Sequence, residues 1–215
     1  MQESKDIATP QRRGRGRPPK SAQQRNEGNR RNELILAAGR QFRLKGFHGT
    51  STRDIAAAAG MQSSAMFYFF ESKEAMLHEV MRSGMDQAMQ SQSAALAALG
   101  SRANALGRLR ALVRNHLQVL VGPDSDFIPV MLYEWRVLTV AQRLDVSAQK
   151  DLYEGQWMPA LNALHRTGRL KAQPEIARLL IFGALNWTAQ WYSPQGSLSL
   201  DALTTEALAL FMGER

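Results

Sequence analysis

A chain of 215 residues, 44% of them apolar, is long enough for one large or two small domains around a proper core. It has no cysteine, which excludes disulfides and cysteine-based zinc or nucleophile chemistry, and no run of about 18 apolar residues, which excludes a membrane-spanning helix. The net charge of +8 is uneven: residues 1–31 hold nine Lys/Arg against three Asp/Glu, and residues 32–215 hold eighteen against sixteen. A basic N-terminus without an apolar signal segment predicts a cytoplasmic protein whose charged end seeks a polyanion.

In chain order, residues 1–28 are rich in Gln, Arg, Gly, Pro, Ser and Asn and nearly free of apolar side chains. Such a segment cannot offset its ordering entropy, so a disordered basic arm is expected. Within it Arg15-Gly16-Arg17-Pro18 is similar to the core of an AT-hook, which would lay Arg15 and Arg17 in a narrow A·T minor groove; a plain phosphate-binding tail is the alternative. From Arg31 to Lys45 the apolar residues Leu34, Ile35, Ala38 and Phe42 recur at helical spacing, and Gly46-Phe47 ends the helix.

The stretch from Gly49 to Leu77 carries start and stop signals for two short helices. Ser51 and Asp54 form a capping box that predicts a helix from Thr52 to Ala59, because each side chain satisfies a backbone N–H left open at a helix start. Gly60 permits the positive φ at which that helix ends, and a second helix starts near Gln62. Met66 and Phe70 then face Ile55 and Ala59. That leaves Gln62, Ser63, Ser64, Phe67 and Tyr68 outward, a small-polar and aromatic face suited to a major groove.

At these residues the sequence resembles the TetR/AcrR family of bacterial transcriptional regulators. Ile55, Ala56, Ala59, Gly60, Phe70, Ser72, Lys73 and Glu74 stand where the family pattern T-x-x-x-I-A-x-x-A-G-V-S-x-G-x-L-Y-x-H-F-x-S-K-E-x-L asks for them. The chain departs from it at Gln62 for Ser, Ser64 for Gly, Phe67 for Tyr and Phe69 for His, so two phosphate-directed polar groups are missing. The resemblance implies an N-terminal three-helix DNA-binding domain over residues 29–76 that contacts duplex DNA through Thr52, Gln62, Ser63, Ser64, Ala65, Phe67, Tyr68 and Lys73. Tyr68 and Lys73 would hold phosphates, and Gln62 is suited to an adenine edge.

Ser72 caps a long helix to about Leu99. Further helices are expected over 103–121, 126–139, 141–167 with a kink at Pro159, 174–192 and 200–212, so the chain reads as all-α with about nine helices. Residues 77–215 would form an effector-binding and dimerisation domain. The 174–192 helix is apolar nearly all round, with Gly183, Ala184 and Ala189 small enough for close approach, which fits burial against a second copy.

The pattern Asn186-Trp187-x-x-x-Trp191-Tyr192-x-Pro194-x-Gly196 resembles the branch of the family that includes regulators of fatty-acid and steroid breakdown, and it implies a hydrophobic effector such as an acyl-CoA. Met81, Met85 and Met89 form an i, i+4, i+8 stripe, and Met131, Trp135, Trp157, Trp187 and Trp191 are the candidates to join them around a cavity; ordinary core packing is the competing reading. Arg136 and Arg143 are candidates for CoA phosphates. No nucleophile–base pair, metal set or phosphate loop is visible, so no catalytic residue, metal or cofactor is expected. Of the four histidines only His78, four residues from Glu74, has an acidic neighbour on its own helical face, and a salt bridge explains that pair better than a metal site. A TetR-fold architectural protein that senses nothing small is the remaining alternative to a ligand-responsive repressor.

Overall fold

The computed structural model describes residues 22–100, 102–122 and 126–213, and among these every regular element is a helix. The order is α1 (Ala22–Gly49), α2 (Thr52–Ala58), α3 (Ser63–Phe69), α4 (Lys73–Ala98), α5 (Ala105–Val121), α6 (Phe127–Glu134), α7 (Val140–Gly155), α8 (Met158–Arg166), α9 (Pro174–Trp187) and α10 (Leu200–Met212). Single 3₁₀ turns extend α6 over Trp135–Val137 and α9 over Thr188–Gln190. Arg15 and Arg17 lie outside the described residues.

Two boundaries differ from expectation. Helix α1 begins at Ala22, so residues 22–28 belong to it rather than to the arm. Its first turns carry no apolar face; propagation from the packed turns at Leu34 to Phe42 suffices, since adding a residue to a formed helix costs far less than nucleating one. The expected 141–167 helix is two helices, α7 and α8. Pro159 sits in the first turn of α8, where its missing N–H breaks no bond, and the chain parts before it at Gln156 and Trp157 instead of kinking through it. With this split the described residues hold ten α-helices, against the nine or so expected.

Local signals set the rest. Ser51 Oγ accepts from Asp54 N at 3.1 Å and Ser51 N donates to the Asp54 carboxylate at 3.0 Å, so the capping box is complete. Gly60 has φ 66°. Gly46 has φ 72° and ψ 167°, a region closed to residues with a Cβ, and α1 is kinked there. The 26-residue α4, about 39 Å long, joins the two parts of the molecule. It packs against α1 near its start and against α5, α6 and α7 beyond, and one continuous core follows it from Leu34 and Ile55 to Trp157 and Phe182.

Candidate nucleic-acid interface and ligand cavity

Helices α2 and α3 meet through Ile55, Ala56 and Met66, all fully buried, with Phe70 closing the seam. That packing turns the other face of α3 to solvent. Gln62, Ser63, Ser64, Phe67 and Tyr68 are exposed, while Thr52 and Ala65 are half-buried. Gln62 occupies the N-cap of α3 without a side-chain capping bond. Tyr68 stands 71% exposed, its ring edge-on to Phe69 at 4.8 Å. The expected reading face is thus presented as one surface. The Asp54 carboxyl is held below its ordinary value by the Ser51 backbone and hydroxyl and by nearby Lys45, so the cap stays ionised at neutral pH.

Lys73 departs from its expected placement. Its ammonium donates at 2.8 Å to the carbonyls of both Phe47 and Thr50 and lies 4.2 Å from the centre of the Phe47 ring. Two of its three donors are spent closing the turn between α1 and α2, so the structure casts it as a clamp on the DNA-binding unit rather than as a side chain reaching outward. Thr50 Oγ1 donates to the carbonyls of Gln41 and Gly46 and completes the tie.

In the larger unit, Met85, Ala88, Ile128, Met131 and Phe182 wall a cavity of about 30 Å³, with His116, Lys150, Tyr153, Glu154 and Asn186 as its polar lining. Burial keeps the His116 ring neutral, and in that state Nε2 donates to Asn186 Oδ1 at 3.1 Å while Nδ1 accepts from the Tyr153 hydroxyl at 3.0 Å. Burial pushes its pKa down to about 4 against a smaller upward pull from Asn186, and burial likewise pushes the Tyr153 phenol up. Glu154 is bridged by Lys150 at 3.0 Å and by Arg178 of α9.

Of the expected ligand residues, Met85 and Met131 line this cavity, and Met81 is buried just along the stripe. Met89 and Trp135 are half-buried against the core. Trp157 is fully buried and donates its indole N–H to Gln92 Oε1 at 2.8 Å, which makes it a core residue. Trp187 and Trp191 are 66% and 52% exposed, and neither lines this cavity. Ile176, Leu179 and Leu180 share the open face of α9 with Trp187, and Gly183 and Ala184 leave it flat. Arg136 is exposed, and Arg143 donates to the Leu138 carbonyl at 2.9 Å. His78 pairs with Asp145 of α7 at 2.9 Å rather than with Glu74, fastening α4 to α7 together with Arg82. The polar lining escaped sequence reading because it is assembled from three separate helices, α5, α7 and α9; a lone His116 inside the apolar face of α5 was its only trace.

Helix α6 touches both units. Ile128 and Met131 face the cavity, whereas Asp126 pairs with Arg43 of α1 at 3.0 Å and Glu134 Oε1 accepts from Phe47 N at 2.9 Å. Phe127 fills the notch left by Gly84 on α4, where a Cβ would lie 2.0 Å from the ring.

A capped helix-turn-helix with an open recognition face, clamped onto a helical unit that holds a cavity and leaves one apolar helix face uncovered, defines a helix-turn-helix DNA-binding regulator. Comparison with known proteins narrows the class. Residues 34–80 match the model of bacterial regulatory proteins of the tetR family, and residues 102–214 match the tetracyclin repressor-like C-terminal domain. The HTH-type transcriptional repressor KstR2 of Rhodococcus jostii (strain RHA1) is 29% identical over 203 residues, covering 91% of this chain and 95% of that protein. Among solved structures, superantigen PfiT is 34% identical with a TM-score of 0.71, covering 86% of this chain and 97% of that one. AibR, solved in complex with isovaleryl coenzyme A and operator DNA, is 24% identical with a TM-score of 0.76 over 86% of this chain and all of that one, a likeness of fold. The chain belongs to the TetR family of bacterial transcriptional regulators, a non-enzymatic class that binds operator DNA as homodimers. Among the described residues no helix is long and apolar enough to cross a membrane.

Proposed function

We propose that this regulator is a repressor, delivered to a pseudo-palindromic operator by two copies of the chain and released by a hydrophobic acyl thioester. The observation that carries the release mechanism is the double attachment of α6, with Ile128 and Met131 on the cavity and Asp126 and Glu134 on α1. A ligand that swells the cavity displaces α6, and the displacement reaches the recognition unit through Glu134 and Phe47. The KstR2 relative is named a repressor, and AibR carries a coenzyme A thioester and operator DNA on the same fold. In this reading residues 29–76 bind DNA and residues 77–215 bind effector and partner. Gln62, Ser63, Ser64, Ala65, Phe67 and Tyr68 enter the major groove, Thr52 approaches a phosphate, and Arg15 and Arg17 of the arm add backbone or minor-groove contacts. The open face of α9 is the subunit interface.

Release requires that the ligand prefer the displaced arrangement; a tenfold preference in each of two sites weakens operator binding about a hundredfold. By reciprocity operator DNA weakens ligand binding equally. Calorimetric titration of medium- and long-chain acyl-CoA thioesters, with and without an operator recovered from a random duplex pool, tests this. Weaker binding in the presence of operator is expected; equal affinity refutes the release mechanism, and absence of heat with every thioester favours an architectural protein.

A further inference from the structure

Between Gln62 and Phe70 the recognition segment contains no Lys or Arg. The bidentate cation-to-guanine contact, the commonest specific contact in major grooves, is therefore unavailable from α3. What α3 offers instead is an amide at Gln62, free of any capping duty, and an apolar ring at Phe67. Phe67 is 61% exposed on a helix whose apolar requirements are already met by Met66 and Phe70, so folding gives no reason for a large apolar side chain there. A phenyl ring on a groove-reading face has its best complementary partner in duplex DNA in the C5-methyl group of thymine, the largest apolar group on any major-groove base edge.

We propose that Phe67 selects thymine by packing on its methyl group, with Gln62 suited to an adenine edge beside it. This rests on the DNA-binding reading above and specifies the chemistry of that surface. Deoxyuridine differs from thymidine only by the methyl, leaving hydrogen bonding intact. Burial of one such group corresponds to about fourfold in affinity, hence about fifteenfold for two half-sites bound by a dimer.

The test uses the full-length protein and a duplex recovered from a random pool by repeated binding, resynthesised with deoxyuridine replacing thymidine at one position at a time, symmetrically in both half-sites. For the native protein, a loss of about fifteenfold is expected at one symmetric pair of positions. Phe67→Ala should bind the thymine duplex about as weakly as the native protein binds the deoxyuridine duplex, and should show no further loss on substitution. Phe67→Leu, which keeps an apolar contact, should retain most of the discrimination. Unchanged melting of both variants is expected, since the side chain is exposed. A recovered duplex indifferent to deoxyuridine at every position overturns the methyl contact alone. Deoxyuridine losses that persist undiminished in Phe67→Ala overturn the assignment to Phe67, and failure to recover any duplex overturns the DNA-binding reading itself.

Discussion

His116 makes the stability of this regulator depend on pH in a way that can be worked from its surroundings. Its ring is enclosed by Tyr153, Trp157 and Phe182 at centroid distances of 5.9, 6.0 and 5.0 Å, and burial lowers its pKa from 6.5 to about 4. Above pH 6.5 the imidazole is neutral in folded and unfolded chains alike and the shift has no effect. As pH falls from 6.5 towards 4 the unfolded chain takes up the proton first, so stability declines, by about 2 kcal/mol at pH 5 and about 3 kcal/mol below pH 4. Urea unfolding of the native protein and of His116→Gln, at fixed protomer concentration and at pH 7.5, 6 and 5, isolates the effect because the other titrating groups are common to both. The native protein should lose about 2 kcal/mol more than the variant between pH 7.5 and 5. Parallel pH profiles would refute the neutral, enclosed imidazole and with it the hydrogen-bond order from Tyr153 through His116 to Asn186.

Further outcomes are expected elsewhere. Lys73→Ala should weaken binding to all duplexes alike and lower the melting temperature, but leave the slope of log affinity against log salt nearly unchanged, because the ammonium is spent on the Phe47 and Thr50 carbonyls; a slope reduced by about one per subunit would restore it to a phosphate. Gly84→Ala should drive Phe127 from its notch, destabilise the protein by about 1–3 kcal/mol and alter operator affinity through α6, measured by urea unfolding and fluorescence anisotropy. Leu180→Arg on the open face of α9 should yield monomers by light scattering with operator binding lost together with the dimer. Deleting residues 1–21, which stops short of α1, should reduce salt dependence without lowering the melting temperature.

The DNA-binding unit was legible in the sequence because its signals are local: Ser51 and Asp54, Gly60 and Ser72 act within a few residues of the helix ends they set. The destination of Lys73 was not, since its partners lie 26 and 23 residues away. The cavity was half legible. The methionine spacing placed Met85 on the correct face of α4, but no periodicity announces that His116, Tyr153 and Asn186 converge from three helices. Trp187 and Trp191 mislead because aromatic residues suit a ligand cavity and an uncovered helix face equally well, and only the tertiary arrangement tells which side of α9 turns inward.

At about 30 Å³ the cavity has room for ordered water but far too little for an acyl chain. On the proposed reading an acyl thioester would bind only an expanded form, and its apparent dissociation constant would be the intrinsic one divided by the fraction of molecules already expanded. The concentration at which such a switch tripped would then be set by how well Met85, Met131 and Phe182 fill the closed form. Trimming one of these side chains by a methylene or two would shift the threshold without touching either the ligand's own contacts or the face that reads DNA, so the dose response of such a regulator can drift by ordinary core substitutions.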